Sequence, residues 1–138
     1  MPSPVSQVPA ANSDLALQHF QSGLTFETDC WDVHATLGGG ADFVLLDVRS
    51  AEAYARAHVP GAISLPHAKI TEGRLRSYPL DTLFVVYCAG PHCNGAQRAA
   101  IRLAHLRRPV KLMIGGMTGW LDEGFEVARG EAPPGLPT

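Results

Sequence analysis

Cys88 and Cys93 stand near the two ends of Cys88-Ala89-Gly90-Pro91-His92-Cys93-Asn94-Gly95, a short stretch with few bulky side chains. Before it run five apolar residues, Leu83 to Tyr87, mostly β-branched or aromatic, which read as a buried strand. After it, Ala96 to Leu106 reads as a helix. A strand that delivers a cysteine into a glycine-bearing loop, with a helix N-terminus beneath, is an anion cradle. The loop N–H groups point inward, and the helix dipole adds roughly half a positive charge at its start. Both favour thiolate over thiol, and the thiolate is the nucleophile. The competing reading of Cys88 is a small buried residue at a strand end, but a core cysteine does not need this loop. Gly90 and Gly95 permit positive φ, and Pro91 stiffens the segment.

The neighbours of Cys88 extend the chemistry. Cys93 lies five positions on, and a loop that curls to aim its N–H groups inward brings its ends together. Either the two Cα atoms then approach the roughly 4.4–6.8 Å a disulfide requires, or a broader loop aims Cys93 into the core or helix, out of reach. His92 is read either as an aid to proton transfer and thiolate charge or as an exposed loop histidine without such a role. Cys88, His92 and Cys93 share one tight loop, whereas zinc motifs use paired knuckles, so no metal is expected. No Gly-Lys-Ser/Thr follows, so the glycines do not make a P-loop. Cys30 reads as a core residue of a helix.

The totals narrow the classes. The 138 residues suit one compact domain, and a hydrophobic fraction of 46% is enough for one core. A net charge of −2 argues against nucleic acid as the main partner. The basic cluster Arg102, Arg107, Arg108 and Lys111 reads as a solvated helix end. Three cysteines argue against a disulfide framework and for reduced thiols in a cytoplasmic setting. No signal peptide and no membrane-spanning run is read, so no membrane partner is expected.

The elements that must position the loop follow from the pattern. Residues 1–11 are rich in Pro, Ser and Gln and read as disordered, 12–130 as the folded domain, and 131–138 as a loose tail. Ser13 or Asn12 caps a first helix carrying Leu15, Ala16, His19 and Phe20, and a second helix is expected from Thr28 to Leu37. Phe43 to Val48 is a strand buried on both faces, and Ser50 caps a helix over Ala51 to Ala57. A short strand is expected at Ala62 to Ser64, a helix near His67 to Thr71, and a strand over Pro109 to Ile114. Gly115-Gly116 breaks that strand before a last helix, Met117 to Glu123. Strands alternating with helices imply an α/β fold, a mainly parallel sheet with helices on both faces. Ligands of such sheets bind beyond the carboxyl ends of the strands. Asp47, Cys88 and Gly115-Gly116 all fall there, which also puts Arg49 near the rim.

Four segments, in order from about Asp42 to Phe125, resemble a single-domain rhodanese. They are Leu45-Leu46-Asp47-Val48-Arg49 followed by Glu52 and Tyr54; His58-Val59-Pro60-Gly61-Ala62-Ile63-Ser64; Val85-Val86-Tyr87-Cys88 with its loop; and Ile114-Gly115-Gly116-Met117 with Trp120 and Gly124-Phe125. The resemblance implies a rhodanese-like domain and a sulfurtransferase carrying a sulfane sulfur as a persulfide on Cys88. A donor such as thiosulfate, a persulfide or a polysulfide would load it, and a thiophilic acceptor would unload it. Ala89, Gly90, Pro91, His92, Asn94 and Gly95 would line the substrate site, with Asp47 and Arg49 as a supporting rim and no cofactor. A common rhodanese loop reads Cys-x-x-Gly-x-Arg; here it is longer by about two residues, Cys93 stands where Arg often does, and the first arginine is Arg98. Cys93 is therefore read as a resolving thiol, a second sulfur carrier, the nucleophile itself, or a small inward-packing loop residue. Two rivals stand beside sulfur transfer: a phosphatase or arsenate reductase on the same fold, and a non-catalytic interaction module. The first needs a loop arginine to hold an oxyanion bidentately, and residues 89–95 contain none. Nothing in the sequence assigns an oligomeric state.

Overall fold

The computed structural model describes residues 1–131. The last seven residues of the tail, expected to be loose, lie outside the described residues. Residues 1–11 are exposed and hold one turn, in which the Gln7 N–H donates to the Ser3 carbonyl at 2.9 Å.

Helix α1 spans Ser13–Phe26, with Asn12 as its cap: Asn12 Oδ1 accepts from the Leu15 N–H at 3.0 Å. It leads into a two-residue strand β1 (Glu27–Thr28), and α2 (Cys30–Leu37) follows. Thr28 was expected inside that helix. It is a strand residue because it pairs with Met113, and α2 starts later because Asp29 Oδ1 accepts from the Asp32 N–H at 2.9 Å. Strand β2 (Val44–Asp47), α3 (Ala51–Arg56) and β3 (Ile63–Ser64) come next, with Ser50 capping α3. Where one helix was expected near His67, there is a 3₁₀ turn (His67–Lys69) and then a separate helix, α4 (Glu72–Leu75), capped by Thr71. Strand β4 (Phe84–Tyr87), α5 (Gly95–His105), β5 (Val110–Met113) and α6 (Gly116–Asp122) complete the fold.

The five strands form one sheet in the order β1-β5-β4-β2-β3, every pair parallel. The α/β architecture read from the sequence is the observed one. β4 lies at the centre: Val86 pairs with Leu46 on one side and Leu112 on the other. Successive side chains of β4 go to opposite faces. Val85 and Tyr87 join Val33, Leu45, Met113 and Trp120 in one core, while Phe84, Val86 and Cys88 join Leu46, Ala99 and Leu103 in the other. Both faces are covered, which is why β2 and β4 read as continuous apolar runs.

Arg108 corrects the reading of its basic cluster as a solvated helix end. It is 6% exposed, and its guanidinium donates to the carbonyls of Leu75, Tyr78 and Pro79 at 3.1, 3.1 and 2.9 Å. These bonds fasten the end of α4 and the segment after it to the turn before β5. Among the described residues, no helix is long and apolar enough to cross a membrane.

Candidate active site

The alternation of β4 sends the Cys88 side chain to the face covered by α5, where it is 6% exposed. The chain then turns at once, held by the start of α6. The Cys88 carbonyl accepts from the Met117 N–H at 2.9 Å. The Ala89 carbonyl accepts from the Thr118 N–H at 2.8 Å and from Thr118 Oγ1 at 3.0 Å. This docking requires Gly116, which takes φ +58°; a Cβ there would lie 2.5 Å from the Cys88 carbonyl oxygen and 3.0 Å from the Gly90 nitrogen. The expected break at Gly115-Gly116 is therefore one residue shorter, since Gly116 opens α6.

Gly90 and Gly95 were expected to supply positive φ, and neither does. Both supply space. A Cβ on Gly90 would meet Thr118 Oγ1 at 2.7 Å. A Cβ on Gly95 would meet Cys88 Sγ at 2.7 Å and Cys93 Sγ at 3.4 Å. Gly95 begins α5, so the two sulfur atoms rest on the N-terminal end of an 11-residue helix. The Gly95 N–H donates to Cys93 Sγ at 3.4 Å. Cys88 and Cys93 are joined as a disulfide, with Cα atoms 6.5 Å apart. The loop closes on itself through the Cys93 N–H, which donates to the Gly90 carbonyl at 3.1 Å. Ala89, Pro91, His92 and Asn94 are exposed, and Asn94 Oδ1 accepts from Arg98 Nε at 3.2 Å.

Two depressions flank the sulfur pair. One, of about 220 Å³, is lined by Cys88, Cys93, Gly90, Gln97 and the Gly115-Gly116 corner. The other, of about 600 Å³, is lined by Cys88, Cys93, Arg49, Ser50, Arg56 and His67. Arg56 ends α3 and is exposed, and His67 opens the 3₁₀ turn after β3. The buried His67 Nδ1 has no hydrogen-bond partner among the described residues. The sequence reading missed both residues. The available signal was topological: each follows a parallel strand and returns to the carboxyl end of the sheet. Among the described residues, no three His, Cys, Asp or Glu side chains gather as metal ligands.

Asp47 and Arg49 form a support beneath this rim. Asp47 is fully buried and faces the side of the sheet opposite Cys88, with Tyr87 beside it in register. Arg49 donates from Nε to Asp47 Oδ1 at 3.0 Å and from Nη2 to both Asp47 Oδ2 and the Ala57 carbonyl at 2.6 Å. The Tyr87 hydroxyl donates to Asp47 Oδ2 at 2.7 Å and accepts from the Val59 N–H at 3.1 Å. Burial, and then the Asp47 charge, push the Tyr87 hydroxyl well above the usual tyrosine range, so it stays a donor at any working pH. Tyr87→Phe strips one donor from a buried carboxylate and leaves the Val59 N–H without an acceptor. The expected cost is about 1–3 kcal/mol, read as a lower urea midpoint with an unchanged m-value. A midpoint equal to the parent's would remove this network from the account of the rim.

Cys30 is buried on the other face, where its thiol donates to the Ile114 and Gly116 carbonyls at 3.7 Å. Burial, and then the charges of Asp29 and Glu123, push it from 9.0 up to about 11. Between these values the unfolded chain releases a proton that the folded chain keeps, so stability is unaffected below pH 9.0 and falls as pH rises towards 11. At neutral pH, iodoacetamide is expected to label the reduced native protein at the loop cysteines and to spare Cys30. Peptide mapping that finds Cys30 alkylated as fast as Cys93 would refute this.

The profile of the rhodanese-like domain matches residues 32–123. The BH2092 protein from Bacillus halodurans superposes with a TM-score of 0.82 at 39% identity, over 86% of this chain and 87% of that one. Thiosulfate sulfurtransferase from Pseudomonas aeruginosa superposes with a TM-score of 0.67 at 26% identity, over 85% of this chain but 22% of that enzyme. The HTH-type transcriptional regulator Rv0324 of Mycobacterium tuberculosis is 35% identical over 96 residues, which are 65% of this chain and 42% of the regulator. The chain thus spans under half the length of that curated relative. With the profile matched over residues 32–123 and a parallel five-stranded sheet ending in the cysteine loop, the chain belongs to the rhodanese-like domain family.

Proposed function

We propose that the protein is a sulfurtransferase in which Cys88 carries the sulfur. The observation that carries this reading is the seat of Cys88 Sγ over Gly95, at the N-terminal end of α5 and the carboxyl end of the central strand. The helix end lowers the energy of a thiolate there. The Cys88 thiolate attacks the outer sulfur of a donor, and the bond between that sulfur and the donor breaks. The donor leaves as sulfite from thiosulfate, or as a thiolate from a persulfide. Cys88 then holds a persulfide, which the same helix end stabilises as an anion. A thiophilic acceptor attacks the outer sulfur and regenerates the thiolate, so one transfer becomes two easier steps. Ala89 to Gly95 shape the walls, and a reducing, cytoplasmic setting keeps the pair open between cycles. Small-molecule donors and acceptors are the partners this reading names. The match to a thiosulfate sulfurtransferase supports it.

Loading is tested by mass spectrometry of the reduced Cys93→Ser protein, which lacks the second loop thiol, after incubation with thiosulfate, a polysulfide or 3-mercaptopyruvate. The expected result is a gain of one sulfur atom, mapped to Cys88. No gain with any donor would overturn the proposal. The loop has no cation of its own, and the Arg49 guanidinium is engaged by Asp47, so the charge facing an anionic donor comes from Arg56. Arg56→Ala is expected to raise KM for thiosulfate roughly 5- to 10-fold with kcat little changed, as for loss of uniform binding. An unchanged KM would take Arg56 out of the donor site. The likeness to a transcriptional regulator favours a second reading, an interaction module that reports on sulfur without turnover. Loading of Cys88 with no transfer to cyanide or to a thiol would decide for it.

A further inference from the structure

The Cys88–Cys93 pair and its seat on Gly95 carry one step more. We infer that Cys93 is an internal acceptor, and that the protein reduces the sulfane sulfur on Cys88 to free hydrosulfide. The inference rests on the sulfur-carrying role of Cys88 proposed above. Three features of the loop support it. First, the two sulfur atoms are bonded, with Cα atoms 6.5 Å apart, so the loop brings them into contact without rearranging the fold. Second, the Gly95 N–H donates to Cys93 Sγ, so the cradle that stabilises a thiolate serves the second cysteine directly. Third, Cys93 is partly exposed while Cys88 is buried, and both line each of the two depressions beside the pair. Gly95 leaves room for both sulfurs at once.

The step balances without an external oxidant. The Cys93 thiolate attacks the inner sulfur of the Cys88 persulfide, which is Cys88 Sγ. The Cys93–Cys88 sulfur bond forms and the bond from Cys88 Sγ to the outer sulfur breaks. The outer sulfur takes that electron pair and leaves as HS⁻. The sulfane sulfur is thereby reduced by two electrons, and the two cysteines are oxidised to the disulfide. The bonded pair in the structure is the protein product of this step. Reopening it consumes two equivalents of an external thiol, or one dithiol, which becomes the corresponding disulfide. The cycle therefore couples thiol oxidation to hydrosulfide release, whereas simple transfer leaves the sulfur at the sulfane level on an acceptor. Attack within one loop also competes well with attack by a dissolved acceptor, because the two groups are already held together.

The test is a single turnover of the full chain, reduced, freed of reductant under anaerobic conditions and mixed with one equivalent of thiosulfate. Hydrosulfide is trapped with a bimane reagent and the cysteines are mapped by mass spectrometry. The expected result for the parent is hydrosulfide release in step with formation of the Cys88–Cys93 disulfide. In Cys93→Ser, the extra sulfur stays on Cys88 and hydrosulfide release falls by roughly 10-fold or more. Added dithiothreitol makes release by the parent catalytic. A parent protein that holds a lasting persulfide on Cys88, with Cys93 still open to alkylation, would overturn the inference while leaving sulfur carriage by Cys88 intact. Absence of any added sulfur on Cys88 in both proteins, with no hydrosulfide, would overturn both. The parent time course stands on its own where Cys93→Ser fails to fold.

Discussion

Cys88→Ser is expected to reduce sulfur transfer from thiosulfate to cyanide by roughly 10³-fold or more, to the uncatalysed background. A serine hydroxyl stays protonated at any working pH even on a helix end. It also cannot hold a sulfur atom in a bond that a second nucleophile reopens. The substitution is nearly isosteric at a site 6% exposed, so the fold is expected to persist. A stability change within about 1 kcal/mol by urea titration would separate lost chemistry from lost structure. The same variant leaves Cys93 unpaired and open to alkylation. Thiocyanate production at the parent rate would remove Cys88 from the mechanism and move the search to Cys93.

Gly116→Ala is expected to cost on the order of 10²-fold in activity without touching a sulfur atom. The new Cβ would stand 2.5 Å from the Cys88 carbonyl oxygen and 3.2 Å from the Ala89 carbonyl carbon, on a residue at φ +58°. Backbone atoms cannot swing aside as a long side chain would. Either α6 backs away from the cysteine loop, or the loop lifts off α6 and carries Cys88 with it. The second movement misplaces the nucleophile over α5, and a shift of about 1 Å at a reacting group costs on the order of 10²-fold in kcat/KM. Left-handed strain adds roughly 1–3 kcal/mol of lost stability. Gly124→Ala is the matched control: Gly124 takes φ +77° but a Cβ there meets nothing within 4 Å. It should lose stability and keep activity. Equal kcat/KM in Gly116→Ala and the parent would show that the loop does not depend on this docking.

Much of this molecule was legible in one dimension. The apolar runs at Phe43 to Val48 and Leu83 to Tyr87 announced strands buried on both faces, because a parallel sheet covered twice leaves no polar face to alternate. The pair Asn12 and Ser13, and Ser50, announced helix starts, because a cap is a contact over three residues and needs no tertiary partner; Asn12 is the cap of the first. Cys88 and Cys93 were legible as a pair because a five-residue separation limits how far apart a curled loop can hold them. β1 was not legible: two residues have no period, and Glu27 and Thr28 become a strand only through β5. The reason for Gly90 and Gly95 was misread for a related cause. A positive φ is a property of the residue, whereas the room each provides belongs to Thr118 and to two sulfur atoms that arrive from elsewhere.

The sequence by itself determined the class of fold, the places of β2, α3, β4, α5 and β5, and Cys88 as the candidate nucleophile. These depend on periodicity, capping and local spacing, which act over a few residues. Tertiary structure alone decided which side groups surround that chemistry. Arg56 and His67 reach the rim because their segments return to the carboxyl end of the sheet after β2 and β3. Asp47 accepts from the Tyr87 hydroxyl on the face away from Cys88 because register sets the two residues side by side. Arg108 is buried because three carbonyls, one from the last residue of α4 and two from the segment after it, converge on it. Each of these placements is a contact between residues far apart in the chain. Its energy depends on distance and burial, which residue type and spacing do not encode locally.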